Sequence, residues 1–285
     1  MQNMSVFLRI ISLACLITTG KQSLDAFPGL SWINDQLTIM QCKKHCSSRS
    51  PEITPIYPHK DTPLMMYQLL KDIHNVFARY GITYWIDGGT LLGAVRNKGI
   101  IPWDDDLDIC IDHKDVQNVL ALEPFFNAIG YEMYYPLRGV IKIAPKGGTA
   151  GTYFGYSLKS PHIDILFTEQ IDTHIYFLPT IFADVYWLLN GDYGLVGYRD
   201  GSEIYITQAE LYPLKEYKFG EITVMGPHNP MPYLHHLYGT DCMDIGYQWH
   251  NHTNGLQKIP TGKITLTEEN RGPAQPTGPL LDTPL

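Results

Sequence analysis

Residues 85–108, WIDGGTLLGAVRNKGIIPWDDDLD, constrain this chain more than any other stretch, because they set a glycine-led helix start just upstream of a carboxylate cluster. Gly88-Gly89-Thr90 follows a short apolar run of β type, Ile82 to Ile86, and opens a helical stretch, Leu91 to Arg96. Thr90 has the side chain of an N-cap, and the glycines let a phosphate approach the free backbone N–H groups. Downstream, Leu107, Ile109 and Ile111 alternate with Asp106, Asp108, Cys110 and Asp112. On a strand, the period of two puts Asp106 and Asp108 side by side on one face. Carboxylates held that close repel unless a cation lies between them, and hard oxygen ligands favour Mg²⁺ or Mn²⁺. A phosphate cradle beside a divalent-metal site suits phosphoryl or nucleotidyl transfer.

Blander readings fail on particulars. Asp104, Asp106 and Asp108 match the first three ligand positions of an EF-hand loop, but the turn glycine is replaced by Ile109 and the last ligand by Asp115. The flanks are apolar and β-forming rather than helical. A third carboxylate joins the pair: His162-Ile163-Asp164-Ile165-Leu166-Phe167 reads as a buried strand with one acid in its middle. Burying an ionised Asp costs several kcal/mol unless it is paired, hydrogen-bonded or on a metal. Asp164 therefore either shares the metal or takes the proton of an attacking hydroxyl. Asp104 has the parity to join the same face as a further metal ligand. Asp105 has the opposite parity and is expected to be solvated or helix-capping, and Asp87 is assigned no chemistry. Arg96, Lys98 and Lys142 are candidates to neutralise a diphosphate. His162 shares a strand face with Asp164, placed to orient a carboxylate or touch the donor phosphate.

These residues carry a resemblance. A Gly-Gly-Ser/Thr helix start, an acid-x-acid strand and a later single-acid strand resemble the nucleotidyltransferase superfamily that includes polymerase β. The longer string YWIDGGTLLGAVRNKGIIPWDDDLDICI is similar to the LicD family, whose animal members are fukutin and fukutin-related protein. HIDILF, then YPLKEYKFGEITVMGP and PYLHHLYGTD, resemble the family's third-acid strand, closing hairpin and helix, so the likeness runs over roughly residues 64–245. It implies an α/β (α+β) fold, a mixed sheet flanked by helices with an aromatic-rich insertion. It also implies a Mg²⁺- or Mn²⁺-dependent transferase that moves a phospho-alcohol from a CDP-alcohol donor to a hydroxyl of a glycan or glycoprotein, releasing CMP. On that implication Asp106, Asp108 and Asp164 are catalytic, Asp104 joins them as metal ligand, and Gly88, Gly89, Thr90, Arg96, Lys142 and His162 bind substrate. The alternatives are a nucleotidyltransferase using an NTP directly and a silent glycan-binding member.

The remaining sequence sets boundaries and compartment. A net charge of −8 argues against broad nucleic-acid binding. The uncharged run Ile10 to Gly20 is too short for a standard span but suits a signal-peptide core, so residues 1–20 are expected to direct secretory entry, with anchoring through residues 6–20 as the alternative. Asn251-His252-Thr253 is a glycosylation sequon usable only in that lumen, in the Golgi or endoplasmic reticulum or after secretion. Residues 21–63, with a Pro-rich stretch from Ser47, read as a stem; 64–254 as the catalytic domain; 255–285 as a disordered tail. Within the domain, Leu64 to Arg79 is expected to be helical and Val116 to Ile129 a crossover helix broken at Pro124. Tyr131–Tyr135 and Val140–Ile143 should pair as strands, and glycine-rich 146–156 should be a mobile loop. Cys42 or Cys46 is expected to pair with its neighbour or with Cys242, while Cys110 packs as a small apolar side chain.

Overall fold

The computed structural model describes residues 52–137, 140–153, 156–177, 205–248 and 262–283. The signal segment, Cys42, Cys46, the sequon at Asn251 and the centre of the aromatic insertion lie outside these residues. Helix α1 (Thr62–Tyr80) begins with Pro63 in its first turn and stops at Gly81, whose φ of 68° is the left-handed conformation glycine tolerates best. Its buried stripe of Met66, Leu69, Leu70, Ile73, Val76 and Phe77 recurs at helical spacing and packs onto one face of the central sheet.

That sheet has the path β1 (Tyr84–Ile86), β2 (Asp106–Asp112), β7 (His162–Ile171), β4 (Val140–Pro145) and β3 (Tyr131–Leu137). β2 and β7 run parallel, and the other pairings along the path are antiparallel. The mixed sheet flanked by helices agrees with the α+β expectation. The alternation expected in β2 holds, with Leu107, Ile109 and Ile111 buried, and in β7 Ile163 and Ile165 do the same. Because side chains alternate, the polar residues between them, Asp106, Asp108 and Asp164, share the opposite face. Helix α2 (Gly88–Arg96) joins β1 to this region and packs against β2.

The crossover from β2 is a short 3₁₀ turn (His113–Asp115), α3 (Val116–Leu120) and α4 (Glu123–Ala128), with Pro124 in the first turn of α4 rather than inside a continuous helix. Segment 146–156 is not a loop throughout. Residues from Thr149 form β5 (Thr149–Tyr153), paired in antiparallel register with β6 (Tyr156–Ser160), so backbone pairing outweighs the glycine content. At the far edge, β8 (His174–Phe177) pairs both the end of β7 and β9 (Tyr205–Thr207), which leads into α5 (Gln208–Leu211). The expected closing hairpin and helix are β10 (Lys215–Phe219), β11 (Ile222–Gly226) and α6 (Met231–Tyr238).

The disordered tail expected from residue 255 is corrected over residues 262–283. β13 (Gly262–Thr265) pairs β12 (Ile245–Gln248), α7 (Glu268–Arg271) follows, and the chain then lies along α1. The Gln248 side chain bridges Ile56 and Trp103, so the last part of the expected stem is docked as well. Polar contacts explain why a segment with little apolar periodicity is fixed. Buried Asn97 donates to the carbonyls of Asn270 and Gly272, the Tyr67 hydroxyl to that of Ala274, and Thr283 to the carboxylate of Asp72. Each buried partner orphaned costs about 1–3 kcal/mol. Truncation after residue 261 is therefore expected to destabilise the domain by at least about 3 kcal/mol, a fall in Tm of roughly 6–12 °C. A loss below about 2 °C by calorimetry would mean the segment is not integral.

Candidate active site

The three acids singled out from the sequence converge because two parallel strands are in register. Asp108 on β2 lies opposite Asp164 on β7, and Asp164 lies opposite Lys142 on β4; two residues earlier, on the same face, Asp106 lies opposite His162. The N-terminus of α2 closes the other side. Gly88 has φ +51°, and a Cβ there would stand 2.7 Å from Asp108 Oδ2; at Gly89 it would stand 2.8 Å from Asp104 Oδ2. A Cβ at either position would thus have to displace a carboxylate of the acidic cluster, and at Gly88 the left-handed backbone favours glycine as well.

Thr90 does not cap α2. The helix begins at Gly88 behind Asp87, and the Thr90 hydroxyl accepts the backbone N–H of Asp108 at 2.8 Å. Asp87 N–H donates to Asp108 O at 3.0 Å, so helix start and acidic strand are tied together twice. Asp87 itself is buried and accepts from the Cys110 thiol and the Tyr233 hydroxyl; burial pushes both of those groups up. Cys110 therefore packs behind the acids, and Cys242 is also buried with its thiol free.

Asp105 is the clear misreading of strand parity. It is 3% exposed, and its carboxylate lies in a group with those of Asp104 and Asp106, ligand atoms within 4.8 Å of one another. The period of two fails there because β2 starts only at Asp106, and a turn closed by Asp104 N–H to Ile101 O precedes it. A cavity of about 210 Å³ opens onto Gly89, Asp104, Asp105, Asp106 and Asp108. Its remaining wall includes Trp103, Tyr238 and Tyr247, aromatic side chains that sequence reasoning assigned no role. Trp103 and Tyr238 stood inside the family-like strings, which was the available signal.

The basic candidates divide. Arg96 lines the cavity, but its guanidinium donates to the carbonyls of Cys242 and Ile245 and lies 5.8 Å from the Trp103 ring centroid. Burial lowers it to about 10, so it stays charged at neutral pH. Lys142 is buried, with Nζ 2.5 Å from both Asp164 oxygens and 3.0 Å from His162 Nε2. Lys98 is exposed and donates to Val95 O, away from the acids.

Crowding sets the electrostatics. Burial, then Asp106, Asp105 and Asp108, raises the Asp104 carboxyl well above the usual range. Burial, then Asp106, Asp164 and Asp87, does the same for Asp108, with Lys142 opposing. Hard carboxylate oxygens crowded in this way fit a divalent cation, with Asp104, Asp105, Asp106 and Asp108 as available donors. A carboxyl whose folded pKa exceeds its unfolded value stabilises the fold fully only below the unfolded value, and that contribution is lost as pH rises through the folded pKa. In metal-free protein, Asp108→Asn should therefore match wild type in Tm near about pH 4 and exceed it increasingly as pH rises. A gap that is constant with pH would show that Asp108 is not destabilised by ionisation.

Comparison with known proteins fits this geometry. The profile of the LicD/FKTN/FKRP nucleotidyltransferase domain matches residues 81–229, more than half the chain. An uncharacterized protein of Rickettsia prowazekii is 36% identical over 223 residues, 77% of this chain and 72% of that protein. Its counterpart in Rickettsia typhi is 36% identical over 77% of this chain and 61% of its own length. Shorter matches reach the lipopolysaccharide cholinephosphotransferase LicD of Haemophilus influenzae, 45% identical over 20% of this chain and 21% of that protein, and the human ribitol 5-phosphate transferase FKRP, 35% identical over 31% and 20%. The chain belongs to the LicD/FKTN/FKRP nucleotidyltransferase-domain family, whose members include phospho-alcohol transferases.

Proposed function

We propose that this chain is a metal-dependent transferase that moves a phospho-alcohol, such as phosphocholine or ribitol phosphate, from a CDP-alcohol to a hydroxyl of a glycan or glycoprotein. The observation that carries the reading is the row of Asp106 and Asp108 against the N-terminus of α2, with Asp164 in register beside them. Asp104, Asp106 and Asp108, with Asp105 alongside, are the residues to hold Mg²⁺ or Mn²⁺. When bound, the ion neutralises charge on the donor diphosphate. Gly88 and Gly89 present backbone N–H groups at a positive helix end, which suits a phosphate oxygen. Trp103, Tyr238 and Tyr247 supply flat apolar surface for the nucleotide or the acceptor. The acceptor oxygen attacks the phosphorus that bears the alcohol; its proton goes to Asp164; the bridging P–O bond breaks, and CMP leaves with the electron pair.

Incubating the purified full chain and Mn²⁺ with labelled CTP, CDP-choline and CDP-ribitol, with a glycan acceptor, tests this directly. CMP release from a CDP-alcohol is expected. Pyrophosphate from CTP would identify an NTP-using enzyme, and no turnover of any donor would favour a silent glycan-binding protein. Among the described residues no helix is long and apolar enough to cross a membrane. Entry to the secretory lumen through residues 1–20 belongs to the same proposal, and protease protection of the full chain in intact microsomes tests it.

A further inference from the structure

Asp164 differs from its acidic neighbours in already holding a cation that belongs to the chain. The Lys142 ammonium has three donors, and three acceptors surround it: Oδ1 and Oδ2 of Asp164, each at 2.5 Å, and Nε2 of His162 at 3.0 Å. Lys142 and His162 are 1% and 0% exposed. Their placement follows from backbone register, Lys142 opposite Asp164 on neighbouring strands and His162 two residues before it. Displacing the buried ammonium from this carboxylate would break the ion pair at a cost of several kcal/mol. Asp104, Asp105 and Asp106 gather their ligand atoms within 4.8 Å of one another on the segment leading into β2, and Asp164 meets that row through Asp108, its partner in register.

We infer that Asp164 stays outside the metal's coordination shell, and that Lys142 is a positioning residue whose ammonium takes the place on this carboxylate that a second ion would occupy. The inference rests on the metal-dependent reading above. It gives a site that binds one divalent ion, held by the Asp104–Asp108 segment, with a fixed internal cation on the far strand. Charge on the Asp164 side is then neutralised whatever the free metal concentration, and the carboxylate is oriented before any substrate arrives.

Mn²⁺ titration followed by the electron paramagnetic resonance of the free ion, on the full chain with and without CMP, separates the possibilities. One Mn²⁺ per chain is expected. Asp164→Asn should keep that stoichiometry with affinity changed less than about fivefold, whereas Asp106→Asn should weaken it about tenfold or more. Because Asp164→Asn strands a buried ammonium, the double variant Lys142→Met/Asp164→Asn is the second probe, and the same retention is expected. A loss of about fivefold or more in the double variant, or two ions per wild-type chain, would overturn the assignment. No Mn²⁺ binding by the wild type with or without CMP would instead remove the metal-dependent reading, and this inference with it.

Discussion

Asp106→Asn and Asp108→Asn are each expected to lower transfer by at least about a hundredfold while leaving the protein folded. Both carboxylates stand on the polar face of β2, and Asp108 is fixed from two sides, by the Thr90 hydroxyl on its N–H and by the Asp87 N–H on its carbonyl. Neither tie involves the carboxylate, so the amide retains the backbone anchors and loses only a charge. The crowding that raises Asp104 and Asp108 also means that removing one charge relieves repulsion in the metal-free protein. Loss of CMP release together with an unchanged or higher metal-free Tm at neutral pH is the expected pair of results. Either variant turning over at more than about a tenth of the wild-type rate would take that residue out of the chemistry.

Lys142→Met carries the largest expected effect on stability. Breaking a buried ion pair by deleting one partner costs about 3–5 kcal/mol, since the other charge is left without compensation. Here Asp164 would remain at 16% side-chain exposure with no ammonium between its oxygens. Adding Asp164→Asn should recover at least half of the loss, because the remaining pair carries no buried charge. Urea unfolding of the single and double variants checks this, and additive losses would show that the pair does not act as a unit.

Legibility followed the physics of repetition. Where one period extends over several residues, as in β2, β7 and α1, the faces are readable, and the shared face of Asp106, Asp108 and Asp164 follows from them. Asp105 was misplaced because parity was carried past the start of β2 into a turn, where no period operates. Thr90 was read as a cap from local chemistry, but a strand eighteen residues away claims its hydroxyl. Lys142 was visible only as a basic residue on a strand. Its pairing with Asp164 is a matter of strand order, β7 lying between β2 and β4, and nothing local encodes that order. The segment 262–283 failed for a related reason, since its order comes from side-chain amides and hydroxyls meeting distant carbonyls rather than from apolar spacing.

The return of that segment onto α1 has a consequence for how the protein is made. Gln68 exchanges hydrogen bonds with Leu281 across 213 residues, and Lys71 reaches the same carbonyl. Contacts of such long sequence separation form slowly and late. Helix α1 leaves the ribosome about 200 residues ahead of this segment, so one of its flanks stays bare until the segment has followed. At about 5–20 residues per second, that interval is roughly ten to forty seconds. During it the nascent domain exposes the surface on which residues 262–283 will settle, so chaperone dependence should be concentrated in that window, and a premature stop codon within residues 262–283 should lower abundance even though every acid of the site has already been translated.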